Sequence, residues 1–212
     1  MKGKFITFEG GEGCGKTLQI KLLADYLKNQ KYDVVITREP GGVPTAETIR
    51  NIIQNPDLPD INPTTELLLY EAARSEFSQK LVIPALNKGK IVLSDRYFDS
   101  TKAYQGYGNK TDIKIIDFLN KLASNNLFPD LTYVIDTFAE KGLNKVTTDE
   151  FGRLDKIEQR GLEYHKRVNQ GYREIAKQDP KRVKLIQFID GKPEKMHEII
   201  IKYVDDLLGI SS

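Results

Sequence analysis

The stretch Phe8–Thr17 reads FEGGEGCGKT: Gly10, four residues, then Gly15-Lys16-Thr17, the spacing of a loop that wraps phosphate. Its mechanics follow from residue type. Gly10, Gly11, Gly13 and Gly15 let the chain curl until successive backbone N–H groups, those of Glu12 and Cys14 included, point inward. Lys16 then reaches the β- and γ-phosphates, Thr17 offers its hydroxyl to Mg²⁺, and a helix starting here adds the partial positive charge of its N-terminus.

Outward from the loop, Lys4–Phe8 has the apolar, β-branched character of a buried strand, and Ile20, Leu23, Ala24 and Leu27 recur at helical spacing after it. Strand-length runs return at Val34–Ile36, Ile91–Leu93, Leu131–Ile135 and Val183–Ile186, with helical stretches between. One of these carries Ile115, Phe118, Leu119 and Leu122 at three- and four-residue steps, which put them on one face. Strand alternating with helix predicts an α/β chain of P-loop NTPase type: a parallel five-stranded sheet with helices on both faces and ligands at the carboxyl ends of the strands. One domain is expected over residues 1–212. NPDLPDINP, Asn55–Pro63, reads as an irregular connection before a long helix starting near Thr65. The polar segment from Phe138 to Lys156, containing Gly142 and Gly152, is expected to be a small mobile lid.

With 32 basic and 30 acidic residues the net charge is +2, too even for nucleic-acid wrapping or membrane-surface attraction to be the main activity. Any electropositive site must be local. One cysteine permits no intrachain disulfide, and MKGKFITFEGG contains no apolar run of the length a secretion signal needs, so a cytoplasmic chain is expected. The two histidines, His165 and His197, sit in charged helical stretches far from any cysteine cluster and are read as surface side chains.

Ile91–Asp95 is a buried strand ending in a carboxylate, where a phosphate-loop protein organises Mg²⁺ or its water shell; Thr17 and Asp95 are the metal candidates. The adjacent Arg96 wants an anion. Two activities compete. Asn109-Lys110-Thr111-Asp112 fits the pattern by which GTPases read guanine, but it follows Gln105-Gly106-Tyr107-Gly108 instead of a strand, and Asp149-Glu150-Phe151-Gly152 comes after it, not before, so both are treated as chance matches. The other reading, transfer of the γ-phosphate to a small acceptor, needs a second anion site and a pocket for the acceptor's body. Arg50, Arg74 and Arg96 supply forked donors, while Tyr70, four residues before Arg74 on one helix face, can stack on a flat acceptor.

These residues resemble the bacterial thymidylate kinase family over nearly the whole chain. Besides FEGGEGCGKT, the matching signatures are TREPGG (Thr37–Gly42), SDRYFDSTKAYQGYG (Ser94–Gly108) and GRLDKIE (Gly152–Glu158). The resemblance implies phosphorylation of dTMP to dTDP with ATP and Mg²⁺, supplying dTTP, by a homodimer. The alternative is another P-loop nucleotide or deoxynucleoside kinase. It further implies that Arg50 and Arg96 hold the dTMP phosphate, Tyr70 stacks on thymine, Arg74 and Gln105 bond its edges with Thr101 close by, and Tyr104 crowds the 2′ position. Glu12 is expected near the 3′-hydroxyl, Glu39 near the metal and phosphate region, and a cis bond before Pro40. Catalysis falls to Lys16, Asp95, Arg96 and a lid cation. Among Lys145, Arg153 and Lys156, the planar guanidinium of Arg153 best matches charge spread over a transferring phosphoryl group.

Overall fold

The computed structural model describes residues 3–143 and 155–210. Five strands form one parallel sheet: β1 (Lys4–Glu9), β2 (Val34–Arg38), β3 (Ile91–Asp95), β4 (Leu131–Asp136) and β5 (Val183–Gln187), ordered β2-β3-β1-β4-β5. All five expected runs are strands. The helices among the described residues are α1 (Lys16–Asn29), α2 (Pro44–Gln54), α3 (Pro63–Phe77), α4 (Ile83–Asn87), α5 (Phe98–Thr101), α6 (Ile113–Ser124), α7 (Ala139–Leu143), α8 (Leu162–Gln178) and α9 (Pro193–Leu208). A π-helical turn, Ser78–Val82, joins α3 to α4, and a second, Lys102–Gly108, prolongs α5.

The central strand explains the arrangement. Ile6 and Phe8 of β1 enter a core with Leu23 and Leu27 of α1 and Ile200 and Val204 of α9. Phe5, pointing the other way, packs with Phe77, Val82 and Tyr97. A third cluster, Tyr104, Val168 and Tyr172, secures α8 beside the π-turn after α5. Each fully buried Leu or Ile contributes about 1.5–3 kcal/mol, which is why continuous apolar runs become strands covered on both faces. Register then places the chemistry. Phe8 pairs with Asp95 on one side and Tyr133 on the other, so β1 delivers the phosphate loop beside the carboxylate that ends β3.

Local signals set the helix starts. α3 begins at Pro63, slightly before the expected Thr65, because proline suits the first helical position and the Asn62 side chain accepts from Thr65 N at 2.9 Å.

One expectation fails, and one apolar stripe turns outward. On α6 the apolar stripe faces outward: Ile115, Phe118 and Leu122 are 51%, 66% and 68% exposed, while Ile116, Asn120, Ala123 and Ser124 are buried. The inward face is selected by small residues and by Asn120, whose Oδ1 accepts from the buried Arg74 at 2.7 Å. His165 is buried, not a surface side chain, with its ring edge-on to that of Tyr164 at 5.4 Å between centroids; burial lowers its pKa.

Candidate active site

The phosphate loop runs from β1 into α1. Gly10 has φ 135°, and a Cβ there would stand 2.5 Å from the Ile135 carbonyl oxygen; Gly15 caps α1 at φ 89°. Only glycine meets both demands cheaply. Lys16 lies across the loop, its Nζ donating to the carbonyls of Gly11 at 2.9 Å and Gly10 at 3.3 Å. Cys14 is buried in the core, and its sulfur accepts from Lys16 Nζ at 3.6 Å. The Thr17 hydroxyl donates to Asp95 Oδ2 at 3.1 Å, which joins the two metal candidates in one oxygen pair.

Arg96 follows Asp95 with φ 72°, a left-handed conformation unusual for arginine and imposed by its surroundings. Its guanidinium donates to Glu12 at 2.8 Å, to the Gly10 carbonyl at 3.1 Å and to the Tyr172 hydroxyl at 3.2 Å, and lies over the Tyr104 ring. Tyr104 donates to the same Glu12 oxygen at 2.5 Å. Burial acts upward on Glu12, but Arg96 and then Lys16 outweigh it and hold the carboxyl at about 2. Arg50 is different. It donates to the Pro40 carbonyl at 3.0 Å and has no ion pair among the described residues, while burial and then Arg38 lower its pKa. A buried cation without a matched carboxylate favours a ligand anion.

Two cavities meet here. One holds the phosphate loop with Lys16, Thr17 and Asp95; the other runs over Tyr70, Arg74, Thr101, Tyr104 and Gln105; Glu12, Glu39, Arg50, Arg96 and Glu158 line both. The wall between two anion-sized sites is therefore built from arginines and the carboxylates that orient them.

Sequence and structure comparisons identify relatives of this chain. Residues 8–200 match the thymidylate kinase family model. The chain is 40% identical over 210 residues to thymidylate kinase of Thermoanaerobacter sp. (strain X514), covering 98% of this chain and 100% of that one. It is 45% identical over 196 residues to that of Geotalea uraniireducens (strain Rf4), covering 91% and 92%. Its fold matches the crystal structure of thymidylate kinase from Ehrlichia chaffeensis with a TM-score of 0.77 at 35% identity, covering 96% of this chain and 100% of that one. The chain belongs to the thymidylate kinase family.

Set beside the family's residue roles, the structure adds partners that the sequence reading missed. Arg74 is 1% exposed and fully engaged at its fork: it pairs with Glu39, donates to Glu71 at 2.9 Å and Asn120 at 2.7 Å, and its Nη2 donates to Thr101 at 2.8 Å. Glu39, expected toward the metal, thus commits its carboxylate to Arg74; burial pushes it up to about 7 against the pull of that arginine. The Glu39–Pro40 peptide is cis, as expected. Behind Arg96 sits Glu9, accepting from Tyr97 N at 2.7 Å, Ser100 Oγ at 2.6 Å and Tyr172 OH at 2.9 Å. Burial, and then the Asp99 carboxylate, raise Glu9 to about 8. Its one sequence signal is its place at the end of β1.

The guanine-reading pattern has structural explanations. Asp112 caps α6 by accepting from Lys114 N at 2.8 Å, and Asn109 bonds Glu66 and Arg160. Of the cations expected in a lid, Lys145 and Arg153 lie outside the described residues, as do Gly152 and Asp149. Lys156 donates to the Pro59 carbonyl at 2.7 Å.

Proposed function

We infer that this chain phosphorylates dTMP, taking the γ-phosphate from ATP. The carrying observation is the pair of cavities that share Arg50 and Arg96, because a phosphoryl group passed between two nucleotides needs both anions on one set of cations. A nucleotide switch protein needs only the first cavity. ATP occupies the loop side, with Lys16 on its terminal phosphates; the dTMP phosphate lies on Arg50 and Arg96, with thymine between Tyr70, Arg74 and Gln105. An oxygen of the dTMP phosphate attacks the γ-phosphorus, the bond to the β,γ-bridging oxygen breaks, and ADP leaves. No side-chain nucleophile is needed. Glu12, kept ionised, holds the Arg96 fork on the wall between the cavities.

Thr17 and Asp95 fit Mg²⁺: a hydroxyl and a carboxylate, both oxygen donors, meet within hydrogen-bond distance on the cavity wall. Among the described residues no cluster of three metal-ligating acids, histidines or cysteines is present, which suits a cation that keeps several waters and takes the rest of its shell from phosphate. When bound, Mg²⁺ neutralises charge on the phosphates and helps to hold them in line. Arg153 is assigned as the lid cation, since Lys156 is engaged at Pro59.

A homodimer is supported by the family and by the exposed Ile115, Phe118 and Leu122 on α6, beside exposed Leu68 on the neighbouring α3. Among the described residues no helix is long and apolar enough to cross a membrane. A coupled assay of ADP release across the nucleoside monophosphates tests the activity. Turnover should be fastest with dTMP. A clear preference for AMP, GMP or CMP overturns the assignment.

A further inference from the structure

Behind the base-side wall lies a carboxylate that the mechanism does not use. Glu66 is 3% exposed on α3, one turn before Tyr70. Its Oε1 accepts from Gln105 Nε2 at 2.8 Å and from Asn109 Nδ2 at 3.3 Å; Oε2 pairs with Arg160. Arg160 in turn donates to Asn109 Oδ1 at 3.0 Å and to Tyr164 OH at 2.7 Å, closing the network. A carboxylate bonded by this cation and these two amides can only accept. The end of the Gln105 amide that meets it must therefore be the NH₂, however the side chain is turned. Gln105 lines the base-side cavity and Glu66 does not, so the carbonyl oxygen is the end left for the cavity. Beside it, Arg74 is the donor that lines the same wall.

We propose that Glu66 sets base selectivity: by holding the Gln105 amide nitrogen, it fixes the pocket as an acceptor next to a donor, complementary to a pyrimidine edge with a ring N–H beside a carbonyl. Thymine and uracil present that edge. Cytosine presents its reverse, an unprotonated ring nitrogen beside an amino group, and meets two mismatches. This rests on reading the cavity as the dTMP site. Glu66 touches no substrate and is a positioning residue. Its replacement by glutamine lets residue 66 donate or accept, so the Gln105 amide is free to turn.

The test is steady-state kinetics of wild type and Glu66→Gln with dTMP, dUMP and dCMP. Glu66→Gln should narrow the ratio of kcat/KM for dTMP over dCMP by about ten-fold or more, with dUMP following dTMP and the KM for ATP unchanged. Equal losses for dTMP and dCMP would mark Glu66 as structural and overturn the proposal. Failure of wild type to use dTMP would instead overturn the function itself. A measurement on the wild-type chain covers a variant that does not fold. The Gln105 side-chain NH₂ resonances, assigned by their loss in Gln105→Leu, should exchange slowly with solvent both before and after dTMP is added. A large shift or lost protection on adding dTMP would place the NH₂ on the base and overturn the proposal.

Discussion

Arg74 shows how much one residue's meaning depends on its neighbours. In sequence it is an arginine on a helix, four residues past a tyrosine. In the structure it neutralises Glu39 and Glu71, both buried. Arg74→Ala should therefore cost stability as well as substrate affinity, about 3–5 kcal/mol near neutral pH, because it leaves buried carboxylates without their cation. Those carboxyls escape the penalty by taking up protons, so urea unfolding should show a smaller loss at pH 5.5 than at pH 8. A cost equal at both pH values would mean the carboxylates are not what Arg74 supports. Glu9 offers a second test. Its folded-state pKa, about 8, lies above its ordinary value of 4.5, so the stability it contributes is complete below the ordinary value and is lost as pH rises through about 8. Its charged surroundings are Asp99 and Arg96, with Tyr172 bonded to it. Glu9→Gln cannot ionise, so the fall in Tm between pH 6 and 9 should be shallower than in wild type. An unchanged slope would place that titration elsewhere.

At the scale of elements, the phosphate loop, the strand-end carboxylate and the pocket helix were legible because each is written in consecutive residues. The π-helical turn Lys102–Gly108 was not. It re-aims Tyr104 and Gln105 within a single turn, and no sequence period announces it. Glu66 was hidden for a related reason: one acid in a helix start gives no sign that three donors from distant segments converge on it. The lid carries its own prediction. Arg153→Ala should lower kcat by about 10²-fold with little change in KM, since a contact that strengthens as the phosphoryl group transfers is felt in kcat. Lys156→Ala should be milder, because that ammonium bonds Pro59. Single-turnover kinetics decides between them, and a larger loss in Lys156→Ala would reassign the cation.

For the whole molecule the open question is what covers α6. Its three exposed apolar side chains sit on a face that no sheet or helix among the described residues covers. If α6 carries the proposed homodimer interface, Phe118→Asp combined with Leu122→Asp should shift sedimentation from dimer to monomer at micromolar concentration while leaving the Tm of the monomer near that of the dissociated wild type. Retention of the dimer would move the interface to another face.

The sequence alone settled the five strands and the phosphate loop, since apolar period and glycine spacing are local properties of the chain, and its contiguous signatures pointed to the acceptor through family resemblance. Tertiary structure decided the rest: which side of α6 faces inward, that His165 is buried, that Glu39 turns to Arg74, and that Glu66 grips Gln105. Each of these is a choice among partners from segments far apart in sequence. Desolvation makes an unpaired buried charge too costly to leave, so only the assembled fold, by deciding which groups meet, determines how each is satisfied.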